Sequence, residues 1–151
     1  MHVLHNVSVA VGSVLQPAGS DNVEGILSSS FLKDPADPAW QDDPGRNEWI
    51  EFMDRYYPAG DKSNGFTVYG YSVAQSLVHV LLQCGDDLTR RNVMAHAADL
   101  RGVQLPMLLP GISLDTSAED YAPIERVQMM RFTGERWHLF GPVLKAGSGG
   151  L

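Results

Sequence analysis

A single cysteine, Cys84, stands in 151 residues, so no internal disulfide can form and no Cys-x-x-Cys pair is there to hold zinc. It closes an apolar helical pattern, where a buried thiol is inert. Basic residues are scarce too: 11 Lys and Arg face 18 Asp and Glu, a formal charge of -7. No stretch gathers them into a basic stripe, which excludes the electrostatic footprint of a nucleic-acid binder. Long hydrophobic runs are missing: Leu77 to Leu82 is interrupted by His79 and falls far short of the roughly 20 residues that span a bilayer. The start, Met1-His2-Val3-Leu4-His5-Asn6, has no basic opening and no apolar stretch of signal-peptide length. As given, the chain is expected to remain cytoplasmic.

Catalytic signatures are absent as well. Neither Gly-x-Ser-x-Gly nor Gly-x-x-x-x-Gly-Lys occurs. Five histidines raise a metal site, but His2 and His5 sit three apart on an expected strand and point to opposite faces. His79 and His96 occupy polar stripes of separate expected helices. Asp42-Asp43 and Asp86-Asp87 precede expected helices, where carboxylates favour the positive end of the dipole. Helix entry accounts for them without a cation. No cofactor and no enzyme activity is expected.

What is present suits one folded domain. Hydrophobic residues make up 44% of the chain, enough for a core, and charged residues 19%, too few to suggest disorder. Ten of the 18 acidic side chains fall between residues 21 and 61, so the acidity belongs to one surface segment. The tail Ala146-Gly147-Ser148-Gly149-Gly150-Leu151 has the composition of a flexible end, which leaves residues 1–145 as the folded segment.

Along that segment, Val3–Ser8 reads as a strand, Val9–Leu15 as a short helix stopped by Pro17 and Gly19, and Val23–Ser30 as a second strand. Residues 33–45 carry three prolines and four aspartates, the chemistry of a long surface connection. From Asn47 to Tyr57, the spacing of Trp49, Phe52, Met53 and Tyr56 predicts an amphipathic helix ended by Pro58 and Gly60. Phe66–Cys84 is the strongest helix. Its polar residues Ser72, Gln75, Ser76, His79 and Gln83 form one stripe, and the apolar remainder, including Val73, Leu77, Val80 and Leu81, is expected to be mostly buried.

Thr89 reads as the cap of a further helix with Val93, Met94, Ala97 and Leu100 inward, Asn92, His96 and Asp99 outward, and Gly102 as its stop. Arg126–Phe132, a Thr133-Gly134-Glu135 turn and Trp137–Phe140 form a hairpin signature. Strands alternate with helices first and the hairpin comes last, so the expected class is α/β with a mixed sheet.

Two groups of residues have the character of ligand contacts. Tyr69 and Tyr71 stand at the start of the long helix, where free N–H groups and flat hydrogen-bonding rings coincide, although packing is the ordinary role of such tyrosines. Asn6 and Ser8 stand at the C-terminal end of the first strand, where open α/β sheets contact ligands. A helix cap at Ser8 is the equally open alternative.

The order of these elements resembles the C-terminal part of type I periplasmic solute-binding proteins of the branched-chain amino acid ABC transporter family. The residues that carry it are Asn6-Val7-Ser8, Val14-Leu15-Gln16-Pro17-Ala18-Gly19, Glu24-Gly25-Ile26-Leu27 and Lys33-Asp34-Pro35-Ala36-Asp37-Pro38-Ala39-Trp40. Val68-Tyr69-Gly70-Tyr71-Ser72-Val73-Ala74-Gln75-Ser76-Leu77, Cys84-Gly85-Asp86-Asp87-Leu88-Thr89-Arg90, Leu108-Leu109-Pro110-Gly111-Ile112 and Gly134-Glu135-Arg136-Trp137 continue it to about Val143.

The resemblance implies a partial type I periplasmic-binding-protein-like α/β fold, contributing to both lobes of a hinged receptor that traps a small ligand and delivers it to a membrane permease. It implies a periplasmic location, a signal sequence and about twice this length, so the sheet that grips the ligand carboxylate is expected to be missing. The implied ligand contacts are Asn6, Ser8, Val9 and Tyr71, with Tyr71 a packing or hinge residue. Where amino-acid binders of the family place an acidic residue for the ligand's ammonium, this sequence has Ser8, which has no charge to offer. An aromatic or aliphatic carboxylate without an amino group is therefore the expected ligand beside the amino acids. The same fold in a regulatory protein would make the chain a sensing or interaction module. A sheet edge without its neighbours, with the apolar faces of Phe66–Leu82 and Trp49–Tyr56, is expected to pair with another chain, giving a homodimer.

Overall fold

The computed structural model describes residues 10–145, apart from the side chains of Ser13 and Ser20. A π-helical turn, Val11–Leu15, leads into two short helices, α1 (Gln16–Ala18) and α2 (Ser20–Val23), and then strand β1 (Leu27–Ser30). The expected strand from Val23 is shorter because Val23 still closes α2 and the chain turns at Glu24-Gly25, where the Gly25 N–H donates to the Phe132 carbonyl at 2.8 Å. After a 3-10 turn at Pro38–Trp40 come α3 (Pro44–Tyr56), α4 (Gly65–Cys84) and α5 (Arg90–Ala97). Strands β2 (Arg126–Phe132) and β3 (Trp137–Lys145) end the chain.

The described sheet is antiparallel throughout, in the order β1-β2-β3, with Leu27 opposite Arg131 and Phe132 opposite Trp137. The strand expected at Val3–Ser8 lies outside the described residues. The hairpin forms where expected: the Thr133 N–H donates to the Arg136 carbonyl at 3.1 Å, and Gly134 takes the left-handed conformation, φ 86°, that its tight loop needs.

Helix starts follow cap chemistry. Asp43 Oδ1 accepts the Arg46 N–H at 2.9 Å and Pro44 occupies the first turn, so α3 begins three residues before the expected Asn47. Asn64 caps α4, and Thr89 caps α5 as expected. Helix α5, however, stops at Ala97 rather than at Gly102. The reason is Thr116, whose hydroxyl donates to the Ala97 carbonyl at 2.8 Å and accepts the Leu100 N–H at 2.9 Å, satisfying the helix end from outside. Met94 faces solvent, and Asn92, expected to point outward, donates to the carbonyls of Cys84 and Asp87.

Three apolar clusters hold these elements together. The first joins Val11, Leu15 and Val23 to Met130, Phe132 and Trp137 of the hairpin, with Phe132 and Trp137 edge to face at 5.4 Å. A second gathers Val80 and Cys84 of α4 with Leu100, Leu108, Leu109, Ile112 and Leu114. The third packs Trp49 and Met53 of α3 on Val68 and Tyr71 of α4 over Met107.

The expectation that α4 is mostly buried is overturned. Phe66, Tyr69, Val73, Leu77, Val78, Leu81 and Leu82 are exposed, whereas Ser72 from the polar stripe is buried. Serine fits the interior here because its hydroxyl donates back to the Val68 carbonyl at 2.9 Å, and Ser76 does the same to the Ser72 carbonyl at 2.8 Å. With their hydroxyls satisfied inside the helix, two small side chains leave room at the packed face. Of the apolar residues on α3, Trp49 and Met53 are buried and Phe52 and Tyr56 are not.

Candidate functional site

The segment after β1 does not enter the sheet; it zips onto a distant loop. The Lys33 N–H donates to the Met107 carbonyl and the Leu109 N–H to the Phe31 carbonyl, both at 2.9 Å. This places Phe31, Leu32 and Lys33 along one wall of a cleft of about 1030 Å³. Trp40 from the 3-10 turn, Phe66 and Tyr69 from the first turns of α4, and Ile124, Met130 and Leu139 from the β2–β3 region complete it. The walls are mainly aromatic and aliphatic, which suits a ligand with a flat or branched apolar body.

The charged groups along this cleft are largely committed. Lys33 Nζ donates to Asp43 Oδ1 at 2.7 Å and to the Pro106 carbonyl at 2.8 Å, and lies 5.4 Å from the centre of the Trp40 ring. Asp34 accepts the Val11 and Ala36 N–H groups, both at 2.9 Å. Burial pushes its carboxyl above the ordinary value; those two N–H groups pull the other way, and Asp37 adds to the rise. Asp37 Oδ1 accepts the Ala39 N–H at 2.8 Å and so caps the 3-10 turn. Arg136 also lines the cleft, and its Nε donates to His138 Nε2 at 3.3 Å. Among the described residues Arg136 has no carboxylate partner.

Tyr71 does not line this cleft. It is buried on the α4 face that meets α3, donates to Glu48 Oε1 at 3.1 Å, accepts from Gln75 Nε2 at 2.9 Å, and its ring lies tilted against Phe52 with centroids 4.9 Å apart. Burial, and then the Glu48 carboxylate, push its hydroxyl up to about 12. The other expected contacts, Asn6, Ser8 and Val9, lie outside the described residues. Of the four, Tyr71 alone lies among the described residues. Tyr69, singled out with Tyr71 at the start of the long helix, does line the cleft, whereas Lys33, Trp40 and Arg136 are cleft residues that residue-by-residue reasoning passed over. A lysine inside a segment dense in proline and aspartate is the one signal that pointed to an ordered, paired cation.

The Asp34 and Asp37 carboxylates of the cleft accept backbone N–H groups, and among the described residues no group of His, Cys, Asp and Glu side chains could hold a metal ion. The geometry of the cleft suits non-covalent binding. Among the described residues no helix is long and apolar enough to cross a membrane.

No protein-family model matches the chain, and no curated protein matches it. Its structure is similar to that of a branched-chain amino acid ABC transporter from Thermus thermophilus with bound valine, at a TM-score of 0.77 and 16% identity. The likeness covers 97% of this chain and 39% of that one. The chain thus has a partial type I periplasmic-binding-protein-like fold and spans well under half the length of the protein it matches.

Proposed function

We propose that the chain is the substrate-binding component of an ABC importer, or a segment of one, and captures a small amino acid or carboxylate by closure of two lobes. The observation that carries this reading is the fold it shares over 97% of its length with a transporter protein that binds valine. An apolar cleft of about 1030 Å³ supports it. Closure is stabilised only by contacts that exist in the closed state, so the remainder of the fold contributes to affinity. In this reading Asn6, Ser8 and Val9 contact the ligand, Tyr71 is a packing residue beside the hinge, and the protein works in the periplasm with a membrane permease as its partner. Its role is capture and release, without catalysis.

Of the two ligand classes we favour a carboxylate without an amino group. Ser8 brings no charge for an ammonium group, and Asp34 and Asp37 along the cleft already accept backbone N–H groups. Arg136 is the cation there without a carboxylate partner among the described residues, and a charge-assisted bond to a ligand carboxylate would supply one.

A thermal-shift screen of the purified chain tests the reading. A ligand that binds only the folded state at a hundred times its dissociation constant adds about 2.7 kcal/mol, a shift of several degrees for a domain of this size. The expected result is a shift with benzoate-type or branched aliphatic acids larger than with leucine or valine. A larger shift with leucine would remove the carboxylate preference, and no shift with either class on a cooperatively melting sample would remove solute capture by this chain.

A further inference from the structure

Arg136 is the cleft cation left for a ligand carboxylate, and its Nε is already in use: it donates to His138 Nε2 at 3.3 Å. Both residues line the cleft, Arg136 half-buried and His138 exposed. To accept this bond Nε2 must carry a lone pair, so the contact belongs to a neutral imidazole with its proton on Nδ1. A proton added at Nε2 turns that acceptor into a donor and sets two N–H groups against each other. An acceptor placed between them restores a partner to both.

We propose that Arg136 and His138 together form the carboxylate subsite of the cleft, and that this subsite takes up the anion and a proton together. The inference rests on solute capture by this cleft and deepens it by naming the second residue that holds the carboxylate. One ligand oxygen accepts from Arg136 Nε and from His138 Nε2. The proton on Nε2 comes from solvent and returns to it when the ligand leaves. The other guanidinium N–H groups stay available to the second oxygen, and the apolar body of the ligand is left to the apolar walls, Met130 and Leu139 among them.

The surroundings offer a protonated His138 no negative charge. Strand pairing sets Arg131 of β2 opposite it, with the Arg131 guanidinium 5.8 Å from the centre of the Phe140 ring. Among the described residues neither arginine has a carboxylate partner, and Glu135 in the hairpin turn is exposed and pairs with neither. Along the cleft, Lys33 is taken by Asp43, while Asp34 and Asp37 accept backbone N–H groups. A charged imidazole therefore stands with two guanidinium groups, and an anion is what neutralises them. Asp34 is the competing source of a pH dependence. Burial raises its carboxyl, and its protonation also removes a negative charge from the cleft as pH falls. Substitutions at His138 separate the two.

Isothermal titration of the full chain with benzoate at pH 5.5 and at pH 8 is the test, run in two buffers of different ionisation enthalpy so that proton uptake is counted. The wild type is expected to bind about tenfold more tightly at pH 5.5, the worth of one charge-assisted hydrogen bond, with up to one proton taken up per benzoate. His138→Gln, whose amide oxygen can still accept from Arg136 but cannot titrate, is expected to bind equally at both pH values, near the wild-type constant at pH 8. His138→Lys, charged at both, is expected to bind at pH 8 about as tightly as the wild type does at pH 5.5. Benzoate binding that is equal at both pH values in the wild type, or a pH dependence that survives His138→Gln, would overturn the proposal and leave solute capture standing. Benzoate that binds neither the wild type nor His138→Lys at either pH would remove solute capture, and the proposal with it.

Discussion

Lys33 Nζ and Asp43 Oδ1 lie 2.7 Å apart, and the lysine side chain is only 8% exposed. The same Asp43 oxygen accepts the Arg46 N–H that caps α3, and the same ammonium group donates to the Pro106 carbonyl, so one ion pair ties the β1 exit, α3 and the 106–109 loop together. Breaking it by Lys33→Met leaves the Pro106 carbonyl unpaired and removes the charge beside the capping carboxylate. The expected cost is about 2 kcal/mol, less than for a fully buried pair because Asp43 keeps its capping bond and some access to water. Urea unfolding at pH 7 measures it; a loss below about 0.5 kcal/mol would mean the pair is incidental.

This pair also fixes the sign of a pH dependence. Burial works against the Asp43 charge, but hydrogen bonds from Lys33 and the Arg46 N–H outweigh it, so the carboxyl sits below its ordinary value. A carboxyl whose folded value is depressed contributes stability above its unfolded value, about 3.9, and that contribution is lost as pH falls through the folded value. Asp34 acts oppositely: burial raises it, the folded state takes up that proton first, and stability is gained as pH falls through its raised value. Unfolding free energies from pH 6 down to 3 are expected to fall more steeply for the wild type than for Lys33→Met, in which Asp43 has lost its largest support. Parallel curves would contradict this assignment.

A glycine protects the same junction. A Cβ at Gly45 would lie 2.3 Å from the Pro106 carbonyl oxygen, the backbone atom that also accepts the Lys33 ammonium. Gly45→Ala is expected to destabilise the fold by roughly 1–3 kcal/mol despite alanine's better helix propensity. At Gly70, where a Cβ meets nothing, the same change is expected to stabilise the monomer by about 0.5–1 kcal/mol. Opposite signs for the two, measured in dilute samples, are the check.

Tyr71 offers a spectroscopic readout of the α3–α4 contact. Its hydroxyl, pushed up to about 12 by burial and by Glu48, is expected to ionise above the ordinary tyrosine value of about 10 in an absorbance titration. Glu48→Gln removes the charge but not the burial, so the transition moves down while staying above 10. Tyr71→Phe is expected to cost about 1 kcal/mol through the Glu48 and Gln75 bonds. Titration of the wild type and Tyr71→Phe that gives the same curve near pH 12 would contradict the buried placement.

Parts of this structure are legible in the sequence because their causes are local. Asp43-Pro44 and Thr89 mark helix starts, and Thr133-Gly134 marks the hairpin, since each acts on a backbone group within a few residues. The end of α5 is not legible, because Thr116, 19 positions from Ala97, satisfies it. The buried face of α4 is not legible either: both sides of the helix are apolar, and the choice falls to the side where two serines bond to their own helix. Lys33 becomes a junction only through Pro106, 73 positions away. The cleft shares this character. Its walls come from the 29–40 segment, the start of α4 and the hairpin, which meet only in three dimensions, while the candidates read from the first strand lie outside the described residues.

Trp40 and Trp137 both line the cleft, so a solute that enters it alters their emission directly. A tryptophan fluorescence titration with benzoate, leucine and valine, on the wild type and Arg136→Gln, is the measurement closest to the central claim. The account predicts a saturable change with benzoate at a lower midpoint than with either amino acid, and a midpoint raised about tenfold by Arg136→Gln, the worth of one charge-assisted hydrogen bond. Emission that stays flat across all three solutes in a cooperatively folded sample would contradict it.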